Sequence, residues 1–176
     1  ACTSNNARFL RLQWECSADT CAKSHAEARS RSWAYFVSGA KGLAWIDPCD
    51  EICLWRDHGL EMKIYNEHLY GVYSRTVQNE RYYFRAGVAF TMIGNNFRAR
   101  VHRRDSIIGK KGSSVFPEDP GALVCQMNKT AAVSALESLN PGIGFEVGDV
   151  NRLPLFPVAS ADEIVSRLEI AFGEHE

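Results

Sequence analysis

The sequence contains no long hydrophobic run. No stretch approaches the ~18 consecutive apolar residues of a membrane-spanning helix, and the polar residues 3–6 do not follow the basic-then-apolar order of a secretion signal. We therefore expect no membrane partner and a cytoplasmic location. Since the first residue is Ala1 rather than Met, we also expect the chain to be a piece of a larger polypeptide.

The sequence has six cysteines but no Cys-x2-Cys knuckle, which is the spacing that structural zinc sites favour. A chain of 176 residues that is 45% hydrophobic can bury one core without disulfides. We predict six reduced thiols, no bound metal and a single hydrophobic core. Zinc stays an alternative because two histidines follow cysteines closely. His25 lies four residues after Cys21, and His58 lies five residues after Cys53.

Charge is unevenly distributed along the chain. The formal total is -1, from 20 Lys and Arg against 21 Asp and Glu. Residues 75–111 contain nine of these bases and only two of the acids, a net charge of +7, which leaves -8 for the rest. Aromatic residues at 82–84 and 97 interleave with the bases. A basic segment of this kind on an acidic body favours a polyanion such as nucleic acid as the partner. A solvated basic face without a partner is the alternative.

Hydrophobic periodicity and turn residues predict a mixed α/β (α+β) fold. We expect a single compact domain over residues 1–176, with a β-rich centre, flanking helices and a C-terminal helix. Residues 50–69 predict two short helices or one helix broken at Gly59, and Asn128 is the predicted N-cap of a helix that ends at Leu139. Ser160 and Glu163 form a capping-box pattern before the last helix. The predicted strands are residues 8–16, 33–37, 43–46, 82–84, 88–93, 97–101 and 122–127.

Several short motifs occur together along the chain. Residues 139–155 read Leu-Asn-Pro-Gly, a short hydrophobic stretch, Val-Gly-Asp and then Leu-Pro-Leu. Residues 79–87 read Asn-Glu-Arg-Tyr-Tyr-Phe-Arg-Ala-Gly, residues 97–100 read Phe-Arg-Ala-Arg, and residues 124–128 end in Asn. In combination, these motifs resemble the target-recognition domains of adenine-specific DNA methyltransferases in type II restriction–modification and phage-exclusion systems.

The resemblance covers nearly the whole chain, with departures at Gly142 and Lys129, where the family has Thr and Ser. It implies a sequence-specific DNA recognition module that positions an adenine-N6 methyltransferase. The family's catalytic Asn/Asp-Pro-Pro-Tyr/Phe loop is absent, because the pairs that start at Asn140 and Asp47 lack the second proline and the aromatic. The resemblance therefore implies that S-adenosylmethionine binds in a catalytic domain of the same polypeptide, and that this chain holds no catalytic residue or cofactor.

We expect double-stranded DNA to contact the basic segment, residues 75–111. Most of its Arg and Lys side chains should contact phosphates, while polar side chains and a few arginines reach base edges in the major groove. Glu80 is a candidate acceptor for cytosine, with a salt bridge to a neighbouring arginine as the alternative. Arg98 and Arg100, two apart in a predicted strand, should share one face. The predicted DNA-binding residues are Asn79, Glu80, Arg81, Arg85, Asn95, Asn96, Arg98, Arg100, Arg103, Arg104, Lys110 and Lys111.

Two other functions stay open on the sequence alone. Asp47 or Asp50, followed by Glu61 and Lys63, imitates the Asp…Glu-x-Lys arrangement with which many nucleases hold Mg²⁺ and activate water. That site needs its Glu and Lys on a strand, whereas the surrounding sequence is more typical of a helix. A non-catalytic protein-interaction domain is the second alternative, since a basic segment suits an acidic subunit as well as DNA.

Overall fold

The computed structural model describes residues 1–39, 42–94, 96–139, 144–154 and 156–174. The chain divides into two compact units, each assembled from three separate segments. Unit 1 consists of residues 1–38, 48–85 and 103–110, and unit 2 consists of residues 39–47, 86–102 and 111–176. The mixed α/β class and the C-terminal helix are confirmed. The assignment of residues 1–176 to one recognition domain stays a prediction.

The regular elements are short. The strands are β1 (Leu10–Leu12), β2 (Cys21–Ala22), β3 (Trp33–Val37), β4 (Trp45–Ile46), β5 (Glu51–Leu54), β6 (Val88–Phe90), β7 (Ala99–Val101), β8 (Ile107–Ile108) and β9 (Ser114–Val115). The α-helices are α1 (Asn6–Phe9), α2 (Arg56–Tyr70), α3 (Pro120–Met127), α4 (Thr130–Leu139), α5 (Val147–Val150) and α6 (Ala161–Gly173). Short 3-10 helices cover Gln13–Glu15, Ala18–Thr20, Glu27–Arg29, Tyr73–Arg75 and Glu80–Tyr82. In the described part of the chain, no helix has the length and apolar character to cross a membrane.

Unit 1 is built on a five-stranded sheet. Its strands follow the order β1, β5, β3 and β2, and β8 pairs with β3 as well. The central strand β3 is antiparallel to β5 and parallel to β2 and β8. The inward side chains of β3, Ala34 and Phe36, are buried, as the two-residue period of a strand requires. With them, Phe9, Trp55 and Met62 form part of the core of unit 1.

Helix α2 of unit 1 begins with a left-handed turn. Asp57, His58 and Gly59 have φ values of 50°, 56° and 74°. The indole of Trp55 lies directly against Gly59, because a Cβ placed there would sit 2.5 Å from a ring carbon. The predicted break at Gly59 is present, but it lies at the start of α2, and its physical reason is that the buried indole occupies the space that any side chain at position 59 would need. The prediction of helix from residue 50 onward is wrong, because Glu51–Leu54 form strand β5, which pairs with β1 and β3.

Unit 2 is built on a four-stranded sheet in the order β4, β7, β6 and β9. Strands β6 and β7 are antiparallel, with Ala89 opposite Arg100. Helix α3 packs against this sheet and against α6, whose Val165, Leu168 and Phe172 are partly buried on the core. The fully or nearly buried members of that core include Phe90, Phe97, Val124, Met127, Leu136 and Phe145.

The predicted strand at residues 122–127 is wrong, because this segment is helix α3. Asp119 is the N-cap, its side chain accepts from the Ala122 backbone N–H, and Pro120 occupies the first turn. These are strong helix-start signals. A short continuous apolar run fits a buried helix as well as a buried strand, so the run itself does not discriminate. Asn128 is consequently the C-cap of α3, and the next helix, α4, begins at Thr130.

Other sequence predictions also differ from the structure. Residues 82–84, predicted as a strand, end a 3-10 helix and continue irregularly. Ser160 precedes α6 in the left-handed region, with φ 63°, and makes no side-chain cap, so the predicted capping box does not form. The predicted single core is instead two hydrophobic clusters, one in each unit. Strands predicted at 8–16, 43–46, 88–93 and 97–101 form over fewer residues than expected.

Candidate nucleic-acid interface

The predicted DNA-binding residues are divided between the two units. Those in unit 1 are Asn79, Glu80, Arg81, Arg85, Arg103, Arg104 and Lys110. Those in unit 2 are Asn96, Arg98, Arg100 and Lys111. Asn95 lies outside the described residues. The basic segment of the sequence, residues 75–111, is therefore not one structural element, and each unit has to be considered by itself.

In unit 1, residues 79–85 form a compact surface feature that we call the basic turn. Asn79 is exposed and left-handed, with φ 58°, and it starts the 3-10 helix Glu80–Tyr82. The exposed side chains of Arg81 and Arg85 both approach the ring of Tyr82, with guanidinium carbons 4.9 and 5.8 Å from the ring centroid. Stacking on an aromatic face suits the planar guanidinium, whose fork of N–H donors matches a phosphate.

The basic turn is anchored by two buried aromatic residues. The Tyr83 hydroxyl donates to the Gln78 carbonyl at 2.9 Å, and its ring meets that of Trp55 edge-on at 5.5 Å. Phe84 is 9% exposed and left-handed, with φ 56°, and its backbone N–H donates to the Ser106 carbonyl. The left-handed φ of Phe84 lies outside the β region, so residues 82–84 do not form the expected strand.

Burial raises the pKa of the Tyr83 phenol, and the nearby carboxylate of Glu80 raises it further. Both causes disfavour the phenolate. The hydroxyl therefore remains a hydrogen-bond donor to Gln78 throughout the physiological pH range, and the anchor of the basic turn does not titrate there.

Glu80 forms an ion pair with Lys63 of helix α2 at 2.7 Å. The two side chains are 35% and 18% exposed, respectively, so the pair is partly shielded from water. The ammonium also lies 5.7 Å from the Trp55 ring centroid and 5.5 Å from that of Tyr73. Of the two possibilities for Glu80, a cytosine contact or a salt bridge, the structure has a salt bridge, with a lysine in place of the expected arginine.

A second basic stretch of unit 1 lies beside the basic turn. The hydrogen bond from Phe84 N–H to Ser106 connects them, so Arg85 on one side and Arg104 on the other flank the same contact. Arg104 is exposed and Arg103 is half-buried. Lys110, also exposed, ends the stretch, and its backbone N–H donates to the carbonyl of Ala1.

In unit 2, the two arginines that were expected to share a reading face differ in exposure. Arg100 lies on β7, is 2% exposed, and forms an ion pair with the buried Asp47 at 2.5 Å. Arg98 precedes the strand, is half-buried, and donates to the carbonyl of Phe97. The side chain of Arg100 is therefore buried and paired rather than presented at the surface. Asn96 and Lys111 are exposed.

One residue missing from the predicted site supports this part of unit 2. The Asn128 side chain accepts from the Ala99 N–H at 3.0 Å and donates to the Ala99 carbonyl at 2.8 Å, so it pairs with β7 as a neighbouring strand would. Ala99 lies between Arg98 and Arg100. The motif at residues 124–128 draws attention to Asn128, but the sequence does not show that its partner is Ala99, 29 residues earlier.

Three residues of the nuclease alternative, Asp47, Glu61 and Lys63, are paired with other side chains. Glu61 is paired with Arg8 at 2.8 Å, and Lys63 with Glu80. Both lie on helix α2, where residues two apart point in different directions. Asp47 holds Arg100. Among the described residues, no three or more His, Cys, Asp or Glu side chains are grouped as metal ligands, and the six cysteines are free thiols.

No family model matches the chain. Over 160 residues, the chain is 26% identical to a protein named adenine-specific methyltransferase PglX, from Lacticaseibacillus casei (strain Zhang). The match covers 87% of this chain but only 13% of that protein. This weak similarity supports a relation to adenine-specific methyltransferases. It concerns a small part of the longer protein and leaves open what that part does.

Proposed function

We propose that this chain is a DNA-recognition module of an adenine-specific DNA methyltransferase, and that the basic turn of unit 1 contacts the duplex. The observation that carries the proposal is the similarity to a small part of a much longer methyltransferase. The motifs at residues 79–87 and 139–155 resemble target-recognition domains and lie within the same chain, which contains no Asn-Pro-Pro-aromatic sequence. Methyl transfer and S-adenosylmethionine binding are accordingly assigned to another domain of the polypeptide.

The chemistry of the basic turn supports a phosphate contact. Arg81 and Arg85 are exposed and gathered around one tyrosine ring, so two guanidinium groups project from a seven-residue segment. The net charge of +7 in residues 75–111 adds a long-range attraction to a polyanion. Exposed Asn79, which precedes the arginines, is the candidate for a base-edge contact, because an amide side chain pairs with adenine in the major groove. No DNA contact is assigned to Arg100, which is buried in its ion pair with Asp47, or to Glu80, whose carboxylate is paired with Lys63.

Fluorescence anisotropy with a labelled 20-base-pair duplex tests the proposal. Phosphate contacts release counterions, so we expect binding that weakens steeply as salt rises, in the ~10⁻⁴–10⁻⁶ M range typical of non-specific complexes at physiological salt. Arg81→Ala and Arg85→Ala should each weaken binding and reduce the salt slope by about one. Arg167→Ala is the control, because this arginine on α6, paired with Glu163, is also exposed but lies outside the basic segment.

Two results would contradict the proposal. Binding that does not respond to salt would show that phosphates are not the partner, and it would favour the protein-interaction alternative. Equal losses for Arg81→Ala, Arg85→Ala and Arg167→Ala would show that only total charge matters and that the basic turn is not the contact surface.

A further inference from the structure

We propose that Lys63 and Glu80 are positioning residues of the basic turn, and that their ion pair increases DNA affinity although Glu80 places a negative charge on the contact surface. This inference rests on the proposed function. It concerns two residues that neither touch the duplex nor perform chemistry, but hold Arg81 and Arg85 in the orientation that meets phosphates.

The surroundings of Lys63 distinguish this pair from the exposed ones. Its side chain is 18% exposed, whereas both members of the pair between Arg8 of α1 and Glu61 of α2 are about half exposed, at 49% and 53%. The ammonium has three neighbours: the Glu80 carboxylate and the rings of Trp55 and Tyr73. A lysine restrained on three sides has few alternative rotamers, so it fixes its carboxylate partner more firmly than a solvated lysine would.

The attachment point of the pair is the start of the turn. Glu80 is the first residue of the 3-10 helix and directly follows left-handed Asn79. The other end of that helix is held by Tyr83, whose ring packs on Trp55. The indole of Trp55 therefore contacts both the ammonium of Lys63, which pairs with Glu80, and the ring of Tyr83. Arg81 lies between these two fixed points, and Arg85 follows them.

Fixing a surface segment before binding lowers the conformational entropy that association must remove. A turn that loses its Lys63–Glu80 tether samples more backbone states, and its two arginines no longer face the same phosphates at once. The tether should therefore raise affinity through Arg81 and Arg85, and it should have no effect where those two side chains are missing.

Positioning and plain electrostatics predict opposite signs for one substitution. Glu80→Gln removes a negative charge from a basic surface, so counterion release and long-range attraction alone predict tighter DNA binding. If Glu80 acts by positioning, Glu80→Gln weakens binding despite the more favourable charge. Glu61→Gln is the matched control, because it removes a carboxylate from an exposed ion pair, that of Glu61 on α2 with Arg8.

The experiment is the anisotropy titration with the 20-base-pair duplex, run on folded variants checked by circular dichroism. We expect Glu80→Gln to weaken binding roughly threefold to tenfold, the size of a modest preorganisation effect, and Glu61→Gln to leave it unchanged or slightly tighter. Lys63→Met should also weaken binding and Lys63→Arg should largely restore it. In the Arg81→Ala/Arg85→Ala background, Glu80→Gln should no longer weaken binding. If Glu80→Gln does not fold, Glu80→Asp, which keeps the charge but shortens the side chain, should weaken binding in its place.

The outcomes separate this inference from the proposed function. The positioning role alone would be overturned if Glu80→Gln, or Glu80→Asp in its place, bound DNA as tightly as Glu61→Gln while Arg81→Ala and Arg85→Ala still weakened binding. A loss with Glu80→Gln that persists without the two arginines would also overturn it, since the effect would not act through them. Unchanged affinity and salt slope in the arginine variants themselves would instead remove the proposed contact surface.

Discussion

Replacing Gly59 by alanine should destabilise unit 1 for two separable reasons. Gly59 has a φ of 74°, a conformation that costs an L-residue about 1–2 kcal/mol. A Cβ at this position would also lie 2.5, 2.6 and 2.9 Å from three carbons of the Trp55 ring. Distances this short cannot be tolerated, and the indole cannot retreat easily because Trp55 is 1% exposed within the core.

The expected magnitude follows from adding these effects. Forcing extra volume into a well-packed core costs about 1–3 kcal/mol. Against the combined strain and overpacking stands a gain of roughly 0.4–1 kcal/mol, because alanine restricts the unfolded chain more than glycine does. We therefore expect Gly59→Ala to lower the free energy of unfolding by about 2–4 kcal/mol. Since Trp55 contacts both Lys63 and Tyr83, DNA binding by the basic turn should weaken as well.

Two other glycines separate strain from overpacking. Gly71, which ends α2, has a φ of 77° but open space around its missing Cβ, so Gly71→Ala should cost only the backbone term, about 1 kcal/mol. Gly148 lies within α5, has no positive φ and also faces open space. Gly148→Ala should be neutral or stabilising by up to about 1 kcal/mol, since alanine is the better helix former.

The assay is equilibrium unfolding in urea, followed by tryptophan fluorescence and circular dichroism, for the parent chain and the three variants. The order of stability should be Gly148→Ala, then Gly71→Ala, then Gly59→Ala. A Gly59→Ala variant no less stable than Gly71→Ala would refute the packing of Trp55 against Gly59. It would also remove the structural support for the anchors of the basic turn.

Two further predictions concern unit 2. Asn128→Ala should lower the free energy of unfolding by about 2–3 kcal/mol, because it leaves the N–H and C=O of Ala99 without their side-chain partner. A loss below about 0.5 kcal/mol in urea denaturation would show that water replaces the amide. Asp47→Asn should cost about 3 kcal/mol, since it removes the carboxylate from the buried guanidinium of Arg100. Asp47→Leu/Arg100→Met should recover part of that loss in a double-mutant cycle, and strictly additive losses would contradict a direct pair.

The parts of the fold that the sequence predicted correctly are those with a local cause. Strand β3 matches the predicted 33–37, because aromatic and β-branched residues between turn signals favour a strand regardless of its partners. Helix α4 ends where the periodicity ends. The break at Gly59, near the start of α2, was predictable because glycine tolerates a positive φ at no steric cost, whereas the left-handed Asp57 and His58 beside it were not. Local chemistry alone is enough in these three cases.

The failures have non-local or competing causes. Asp119 and Pro120 mark the start of helix α3, but the continuous apolar run after them fits a buried strand as well as a helix, so the strand prediction is wrong. Residues 82–84 depart from the strand pattern because Trp55, far away in the sequence, packs on Tyr83. Strand β7 is buried on both faces, so its alternation does not predict whether Arg100 is exposed. That depends on Asp47, 53 residues earlier, which draws Arg100 inward.

The same two ion pairs explain why clustered charge in a sequence does not locate a binding surface. Glu80 is neutralised by Lys63 and Arg100 by Asp47, and both partners lie outside residues 75–111. The two pairings offset each other, so the net charge of +7 in the segment is effectively unchanged. What changes is where the charge lies. The positive charge of Arg100 in unit 2 is buried, and the negative charge of Glu80 in unit 1 is balanced by Lys63 instead of opposing Arg81 and Arg85. The salt slope of the parent chain counts the phosphates contacted but does not say which side chains contact them. The individual arginine variants, compared with Arg167→Ala, are therefore the measurement that identifies which charges meet the duplex.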